Sequence, residues 1–223
     1  MPKPATPRSS HVRHVIVLCH PDPDSFNAHV AQTYCETIKS LGQDAVLRDL
    51  YRLPFDPVLK TDERPGSPNY CLSDDVQTEL DFLNDADVVV LVYPIWFGSP
   101  PAMLKGYIDR VFGANFHYRA IRDRSTGAPL HHKYLLSITT SGNSKQWLEG
   151  QGTWLSLLHV FDHYLADAFS MTSTDHLHLG NISTPLAERF VREELYRVKE
   201  KARETAAKFV RTPARIAGVA QCQ

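Results

Sequence analysis

Residues Ala86–Pro94 read ADVVVLVYP. Six consecutive apolar residues precede Pro94, most of them valine. A β-branched run of that length without polar alternation is the pattern of a central strand buried on both faces. The loop IWFGSPP follows, and a helix over about Pro101–Val111 begins with a proline where a missing N–H costs nothing. Upstream, HVIVLCH at His14–His20 is a second buried run. It leads through the turn formers PDPDS into a helix from Phe26 to Leu41, with Phe26, Val30, Tyr34, Ile38 and Leu41 at helical spacing. Gly42 ends that helix, and a further strand is expected at Ala45–Leu50. Tyr51–Ser73, with four prolines and one glycine, is a long connection to a helix over Ser73–Asn84, whose first turn is acidic.

Downstream, Phe112–His132 is a second irregular insert, and KYLLSITTSG (Lys133–Gly142) is a fourth strand with its exit loop. A helix over Gly152–Phe161, a fifth strand at Tyr164–Met171 and a final helix over 185–211 complete the chain. Strands alternating with helices in short units give an α/β fold, a doubly wound five-stranded parallel sheet with helices on both faces. The expected organisation is a single domain over 1–223, with an N-terminal arm at 1–13 and long loops at 51–73 and 112–132.

Composition narrows the function. At 223 residues the chain buries about 70% of its extended surface and needs neither metal nor disulfide to fold. Its 24 basic and 25 acidic side chains leave a net charge of −1, so nucleic acid is a poor partner. The four cysteines form no CxxC, which suits a reducing compartment. No run approaches eighteen apolar residues and no signal-peptide core follows the polar N-terminus, so a soluble cytoplasmic protein is expected. The charges of the last helix read as a solvated face.

Ligands in such sheets bind beyond the carboxyl ends of the strands. Three exits are chemically unusual: CHPDPDSFN, YPIWFGSPPAMLKG and TTSGNS. The first opens a helix, where free N–H groups receive phosphate, with His20, Ser25 and Asn27 as further donors; Ser25 fits a plain N-cap equally well. The second sets Trp96 and Phe97 beside Gly98, suited to a flat heterocycle or to packing on the next helix. The third gathers Thr139, Thr140, Ser141, Gly142, Asn143 and Ser144, whose N–H groups can meet a polar ring edge or a developing anion. GxGxxG and GxxxxGKS/T are both absent, against a standard dinucleotide fold or a nucleotide hydrolase, and no GxSxG marks a hydrolase. The pairs His159/His163 and His176/His178 lack an HExxH frame and read as surface or interface residues, with no metal expected. Cys19, at a strand end, reads as a small core residue.

LCHPDPDSFN, the run ADVVVLVYPIWFGSPPAMLKGYIDRVF, and KYLLSITTSG occur in that order over roughly Val12–Phe169. Together they resemble the flavodoxin-like NAD(P)H:quinone oxidoreductases, the DT-diaphorase family. The resemblance implies a flavodoxin-like sheet and a flavin: FAD by the longer-cofactor pattern of the first loop, FMN in several short bacterial relatives. It implies that His20, Ser25, Phe26 and Asn27 hold the phosphate region. Pro94, Ile95, Trp96 and Phe97 would line the isoalloxazine and ribityl arm, and Thr139, Thr140, Ser141 and Gly142 the ring edge. It further implies a homodimer, with Tyr118 reaching into the neighbouring pocket, and NAD(P)H and a quinone as substrates. Without a second dinucleotide module, donor and acceptor take turns in one pocket, a ping-pong order.

The departures from the family fall at the acid–base positions. A tyrosine that balances charge in mammalian-type enzymes corresponds to Trp147, which has no acid–base function. Its histidine companion falls at about Thr153, or near Gln151, and one partner tyrosine becomes Ala120. Negative charge at the ring edge would then face the backbone of Thr140–Asn143. Relatives that serve as flavin-holding ancillary subunits of transport proteins offer the rival reading. An electron-transfer flavodoxin fits less well, being shorter, acidic and without the long inserts.

Overall fold

The computed structural model describes residues 11–116, 130–183 and 185–209. Five strands form one sheet in the order β2-β1-β3-β4-β5. They are β1 (Arg13–Leu18), β2 (Asp44–Asp49), β3 (Val88–Pro94), β4 (Tyr134–Thr140) and β5 (Ser173–Leu179). Every neighbouring pair is parallel, with Ile16 beside Val90 and Val90 beside Leu136. All seven residues of β3 are buried, as its valines require.

Odd and even positions feed two separate cores. Val15, Val17, Val89, Leu91, Tyr93 and Leu135 pack against Leu80 and Leu83 of α2 (Asp74–Asn84) and Leu104 and Tyr107 of α3 (Ala102–Tyr107). Phe161, Leu165 and Phe169 cover the same face further along. Ile16, Leu18, Val88, Val90, Leu136 and Ile138 face the other way, onto Val30, Tyr34 and Ile38 of α1 (Phe26–Ser40) and onto Val198, Ala202 and Ala206 of the last helix. The helices therefore lie on both faces of the sheet, in a flavodoxin-like doubly wound arrangement.

The fifth strand is not where its apolar content suggested. Tyr164–Met171 is mostly helical: a π-helical segment, Leu158–His163, runs on from α5 (Thr153–Leu157) into α6 (Tyr164–Ala168). Leu165, Ala166 and Phe169 lie on one side of that segment and bury against the sheet. The strand is STDHLHL at 173–179, an edge strand whose inward residues on one face are His176 and His178 rather than hydrocarbon. The short helix α4 (Lys145–Gly150) precedes α5, and the last helix, α7, spans Glu188–Ala207.

The long connection after β2 is held by charge. Arg110, fully buried in a second π-helical segment (Ile108–Phe112), donates through Nε and Nη2 to Glu63 at 2.7 and 2.6 Å. It reaches Asp75 through Nη1 at 2.6 Å and Nη2 at 3.0 Å, and also bonds the Asp56 carbonyl. The guanidinium holds the Glu63 carboxyl down to about 2. Gly106 permits the same connection to close: a Cβ there would sit 2.2 Å from the Pro57 carbonyl oxygen.

On the opposite core His14 is fully buried between Tyr34 and Gln43. Its Nε2 lies 2.9 Å from Gln43 Oε1, and its Nδ1 lies 3.1 Å from the Tyr34 hydroxyl. The Gln43 amide nitrogen donates to Ala206, which leaves Oε1 to accept and assigns the proton to Nε2. Burial lowers the ring to about 4, against the raising effect of Gln43 and Asp87. Since the unfolded ring binds its proton near 6.5, stability is full above that pH and is lost as pH falls from 6.5 towards 4. His14→Gln should lower stability at pH 7 but shrink the further loss between pH 7 and 4.5 by about 2–3 kcal/mol in urea titrations. An unchanged loss over that interval would refute the assignment.

Candidate functional site

Strand order reverses between β1 and β3, so the crevice beyond their carboxyl ends is the expected ligand position. Three strand-exit loops are tied to one another there. The His20 and Trp96 rings lie 5.7 Å apart, joining the loops after β1 and β3. The Ile95 N–H donates to the Thr140 carbonyl at 2.7 Å, joining those after β3 and β4. Asn27 Nδ2 donates to Thr140 Oγ1 at 2.9 Å, and the Thr140 hydroxyl approaches Asn27 Oδ1 at 3.2 Å, joining the first loop to the third. Asn27 and Thr140 are buried, so this clasp is structural as well as local to the crevice.

The first loop ends at Ser25, whose Oγ caps α1 by accepting the Ala28 N–H at 3.2 Å. His20 Nδ1 accepts the Asp22 N–H at 3.1 Å, which leaves Nε2 to donate outward. A cavity of about 430 Å³ opens beside this helix start, lined by His20, Ser25, Phe26, His29 and, from the chain after β5, Ile182 and Leu186. Asp22 and Asp24 also line it.

The second loop is a tight reversal. Trp96 and Ser99 exchange backbone hydrogen bonds at 2.9 and 3.0 Å, and the residues between them, Phe97 and Gly98, have φ of 50° and 76°. Gly98 adopts such a conformation freely, whereas Phe97 is strained there by about 1–2 kcal/mol. Its ring is fully exposed and Trp96 is 39% exposed. Pro94 is buried at the strand end. A Cβ on Gly98 would touch Thr153 Cγ2 at 3.3 Å, so the start of α5 abuts the turn.

The third loop is fastened to β5: Ser141 N–H donates to Leu179 at 3.1 Å, Ile182 N–H to Ser141 at 2.9 Å, and Asn181 N–H to Asn143 at 3.1 Å. Gly142 and Asn143 are exposed at its tip, and Ser144 caps α4 by accepting the Trp147 N–H at 3.2 Å. Trp147 is half-exposed on α4. Tyr118 and Ala120 lie outside the described residues.

Thr139, read with this loop, turns its hydroxyl away from the crevice and into the protein. Its Oγ1 lies 2.7 Å from His176 Nε2 and 2.9 Å from His178 Nδ1. His176 Nδ1 is 2.5 Å from Asp162 Oδ2, and the Ser137 hydroxyl donates to Asp162 Oδ1 at 2.6 Å. His178 Nε2 is 3.1 Å from Ser141 Oγ, which itself lies 2.7 Å from the Asn143 carbonyl. Trp154 covers both imidazoles, with centroids 4.7 and 5.3 Å away. The two histidines thus occupy a buried polar line, and not the surface or interface expected of them. Asp162 escaped notice because nothing in its local sequence marks it. The alternation His176-Leu177-His178-Leu179 is a period-two strand signal that could have found the histidines. The His159 and His163 rings are tilted against each other with centroids 5.8 Å apart. Among the described residues no three His, Cys, Asp or Glu side chains gather in an arrangement that could hold a metal ion.

The model of a flavodoxin-like fold family matches residues 12–202. An uncharacterized NAD(P)H oxidoreductase of Haemophilus influenzae is 34% identical over 149 residues, 66% of this chain and 73% of that protein. Rat (Rattus norvegicus) NAD(P)H dehydrogenase (quinone) 1 is 31% identical over 152 residues, 60% of this chain and 56% of the rat enzyme. The match therefore spans little more than half of the rat protein. Among solved structures, the NAD(P)H:quinone oxidoreductase of Methanothermobacter marburgensis superposes with a TM-score of 0.73 at 25% identity, covering 88% of this chain and 98% of that one. The chain belongs to the flavodoxin-like NAD(P)H:quinone oxidoreductase family.

Proposed function

We propose that this protein is a flavin-dependent NAD(P)H:quinone oxidoreductase whose flavin lies across the three joined strand exits. The observation that carries the reading is Phe97: an exposed aromatic ring held in a left-handed turn beside Trp96, at the crevice where the strand order reverses. Strain at an exposed aromatic is kept where it serves a ligand. The remaining donor set suits a flavin too. His20 Nε2 and the start of α1 would receive phosphate, and the main chain of the exposed Gly142–Asn143 tip would meet the polar edge of a ring. The cavity beside α1, with apolar Phe26, Ile182 and Leu186 and the acceptors Asp22 and Asp24, has room for a nucleoside beyond the phosphate. That favours FAD over FMN. The chemistry a bound flavin supplies is two-electron transfer from NAD(P)H to a quinone or a similarly flat electrophile. Thr140, braced by Asn27, sets the carbonyl that positions Ile95. Trp147 can donate its indole N–H but has no acid–base function.

The second subunit has a place to bind. Lys105, Ile108 and Phe116 line one wall of a groove of about 340 Å³, and Val160, Phe161 and Tyr164 the other. Val160 and Tyr164 are 68% and 55% exposed, an apolar edge suited to a two-fold contact.

Protein purified from a flavin-replete host should be yellow and release about one FAD per chain on heating. Phe97→Gly should relieve the turn, leaving thermal stability of the flavin-free protein equal or higher, while weakening FAD binding roughly tenfold. Full affinity in that variant would sink the stacking role, and a protein that takes up no flavin would sink the whole reading. Because the two substrates share one pocket, double-reciprocal plots against NADPH at several benzoquinone concentrations should be parallel; intersecting lines would contradict that order. Light scattering should report about twice the 25.2 kDa of one chain, reduced to a single chain by Val160→Asp. A wild-type monomer at micromolar concentration would remove the dimer.

A further inference from the structure

We infer that Asp162, His176, Thr139, His178 and Ser141 form a one-proton relay from the protein interior to the loop after β4. This rests on the reductase reading above, and supplies the acid–base function that Trp147 and Thr153 cannot.

The line is continuous. Each successive pair of polar atoms between Asp162 Oδ2 and the Asn143 carbonyl is 2.5–3.1 Å apart. Asp162, Thr139, His178 and Ser141 are all buried, and the His176 side chain is only 6% exposed. Register explains the alignment: β4 and β5 are parallel, with Ser137 beside His176 and Thr139 beside His178, and all four side chains face the π-helical segment that carries Asp162. Among the described residues, the charged or titratable groups around the line include Tyr93 of β3, Lys145 of α4, Arg197 of α7 and Asp175 of β5, whose Oδ1 accepts the His176 N–H at 2.8 Å. The Arg197 guanidinium bonds the His178 carbonyl at 3.2 Å. Lys145 lies over the Trp154 ring.

Donor and acceptor parity allows two fully bonded states. In the first, neutral His176 donates from Nδ1 to Asp162 and accepts the Thr139 hydroxyl at Nε2. His178 donates from Nδ1 to Thr139 and accepts the Ser141 hydroxyl at Nε2. In the second, every one of these hydrogens is reversed except that between His176 and Asp162. His176 is then an imidazolium paired with Asp162, Thr139 donates to His178 Nδ1, His178 donates from Nε2 to Ser141, and Ser141 donates to the Asn143 carbonyl. That carbonyl keeps the Asn181 N–H in both states. The states differ by one proton. If Ser141 withdraws its hydrogen from the Asn143 carbonyl and gives it to the quinone oxygen being reduced at the loop tip, the hydrogens of His178, Thr139 and His176 each move one step, and the second state becomes the first with no ring rotation.

Reduction of a quinone by NAD(P)H consumes one proton: NAD(P)H, H⁺ and quinone become NAD(P)⁺ and hydroquinone. The relay stores that proton next to Asp162 and delivers it at Ser141, beside the exposed Gly142–Asn143 tip. Burial, with the positive charge of His176, Arg197 and Lys145 acting in the same direction, lowers His178 to about 4. It therefore stays neutral and exchanges tautomers, as an intermediate member must.

Ring nitrogen-15 spectra of the full-length protein test this without turnover, with the two histidines identified among eleven by His176→Gln and His178→Gln. In wild type, His178 should remain neutral but switch from the Nδ1–H to the Nε2–H tautomer at the pH where His176 gains its proton. Thr139→Val should uncouple the two rings, and Thr139→Ser should restore the coupling. Turnover of benzoquinone in Thr139→Val should fall about a hundredfold at unchanged FAD content, with the serine variant largely recovered. A His178 tautomer that stays fixed while His176 titrates overturns the relay from the wild-type spectra alone, whether or not a variant folds. Valine and wild-type proteins with the same turnover and pH profile overturn it as well. Loss of the flavin reading would show separately, as protein without FAD whose ring spectra still switch.

Discussion

A parallel sheet covered by helices on both faces gives its side chains no water, and this constraint governs the molecule. β3 meets it with hydrocarbon throughout, apart from Tyr93. β4 and β5 cannot, because they carry Ser137, Thr139, His176 and His178 into the same interior. A buried polar group left unpaired costs about 1–3 kcal/mol, so each must find its partner inside the protein. Parallel register makes that possible by placing hydroxyls on one strand opposite imidazoles on the next. The clasp between Asn27 and Thr140 answers the same requirement on the other face, and in doing so it fixes the distance between two strand exits. Polar side chains forced to satisfy one another inside are consequently the ones that brace the crevice from below.

The long segment after β2 shows the alternative solution, a buried ion cluster. Arg110 engages two carboxylates and a main-chain carbonyl in a place where a bare guanidinium could not survive desolvation. Removing one member of such a cluster strands the others, so its contribution is chiefly to specify one path for a proline-rich stretch that has little secondary structure of its own. Tyr107, the residue that begins the turn into the Arg110 segment, donates to Glu79, which also pairs with Arg48 of β2. Connection, helix and strand are thereby held to one arrangement.

The central strands were legible because their sequences are unambiguous: VVVLVY and HVIVLC can hardly be anything but buried strands, and the turn formers between elements mark the exits where ligands bind. The family resemblance rests on those same exits. The fifth strand was misplaced for a physical reason. An edge strand that buries imidazoles lacks the apolar run that marks the other strands, whereas the helical Tyr164–Met171 has it. Pairwise chemistry across strands was invisible as well, since Thr139 and His178 are thirty-nine residues apart and nothing local announces that they touch. The strained turn at Phe97 could be suspected from the neighbouring glycine, but not its left-handed backbone.

The π-helical segment at Leu158–His163 has an evolutionary meaning. A π turn is an α-helix carrying one extra residue, and such turns recur at functional positions. The extra residue is absorbed within the widened turn, so deleting it would restore the regular helix and leave the helical pieces on either side in place. Phe161 and Asp162 point inward together on the widened turn; on a regular one, the carboxylate and the aromatic could not both keep their present neighbours. A version of this protein with a carboxylate behind His176 and a version without one are thus separated by a single in-frame codon. Lineages could gain or lose the buried acid in one genetic step, leaving every residue of the crevice itself untouched.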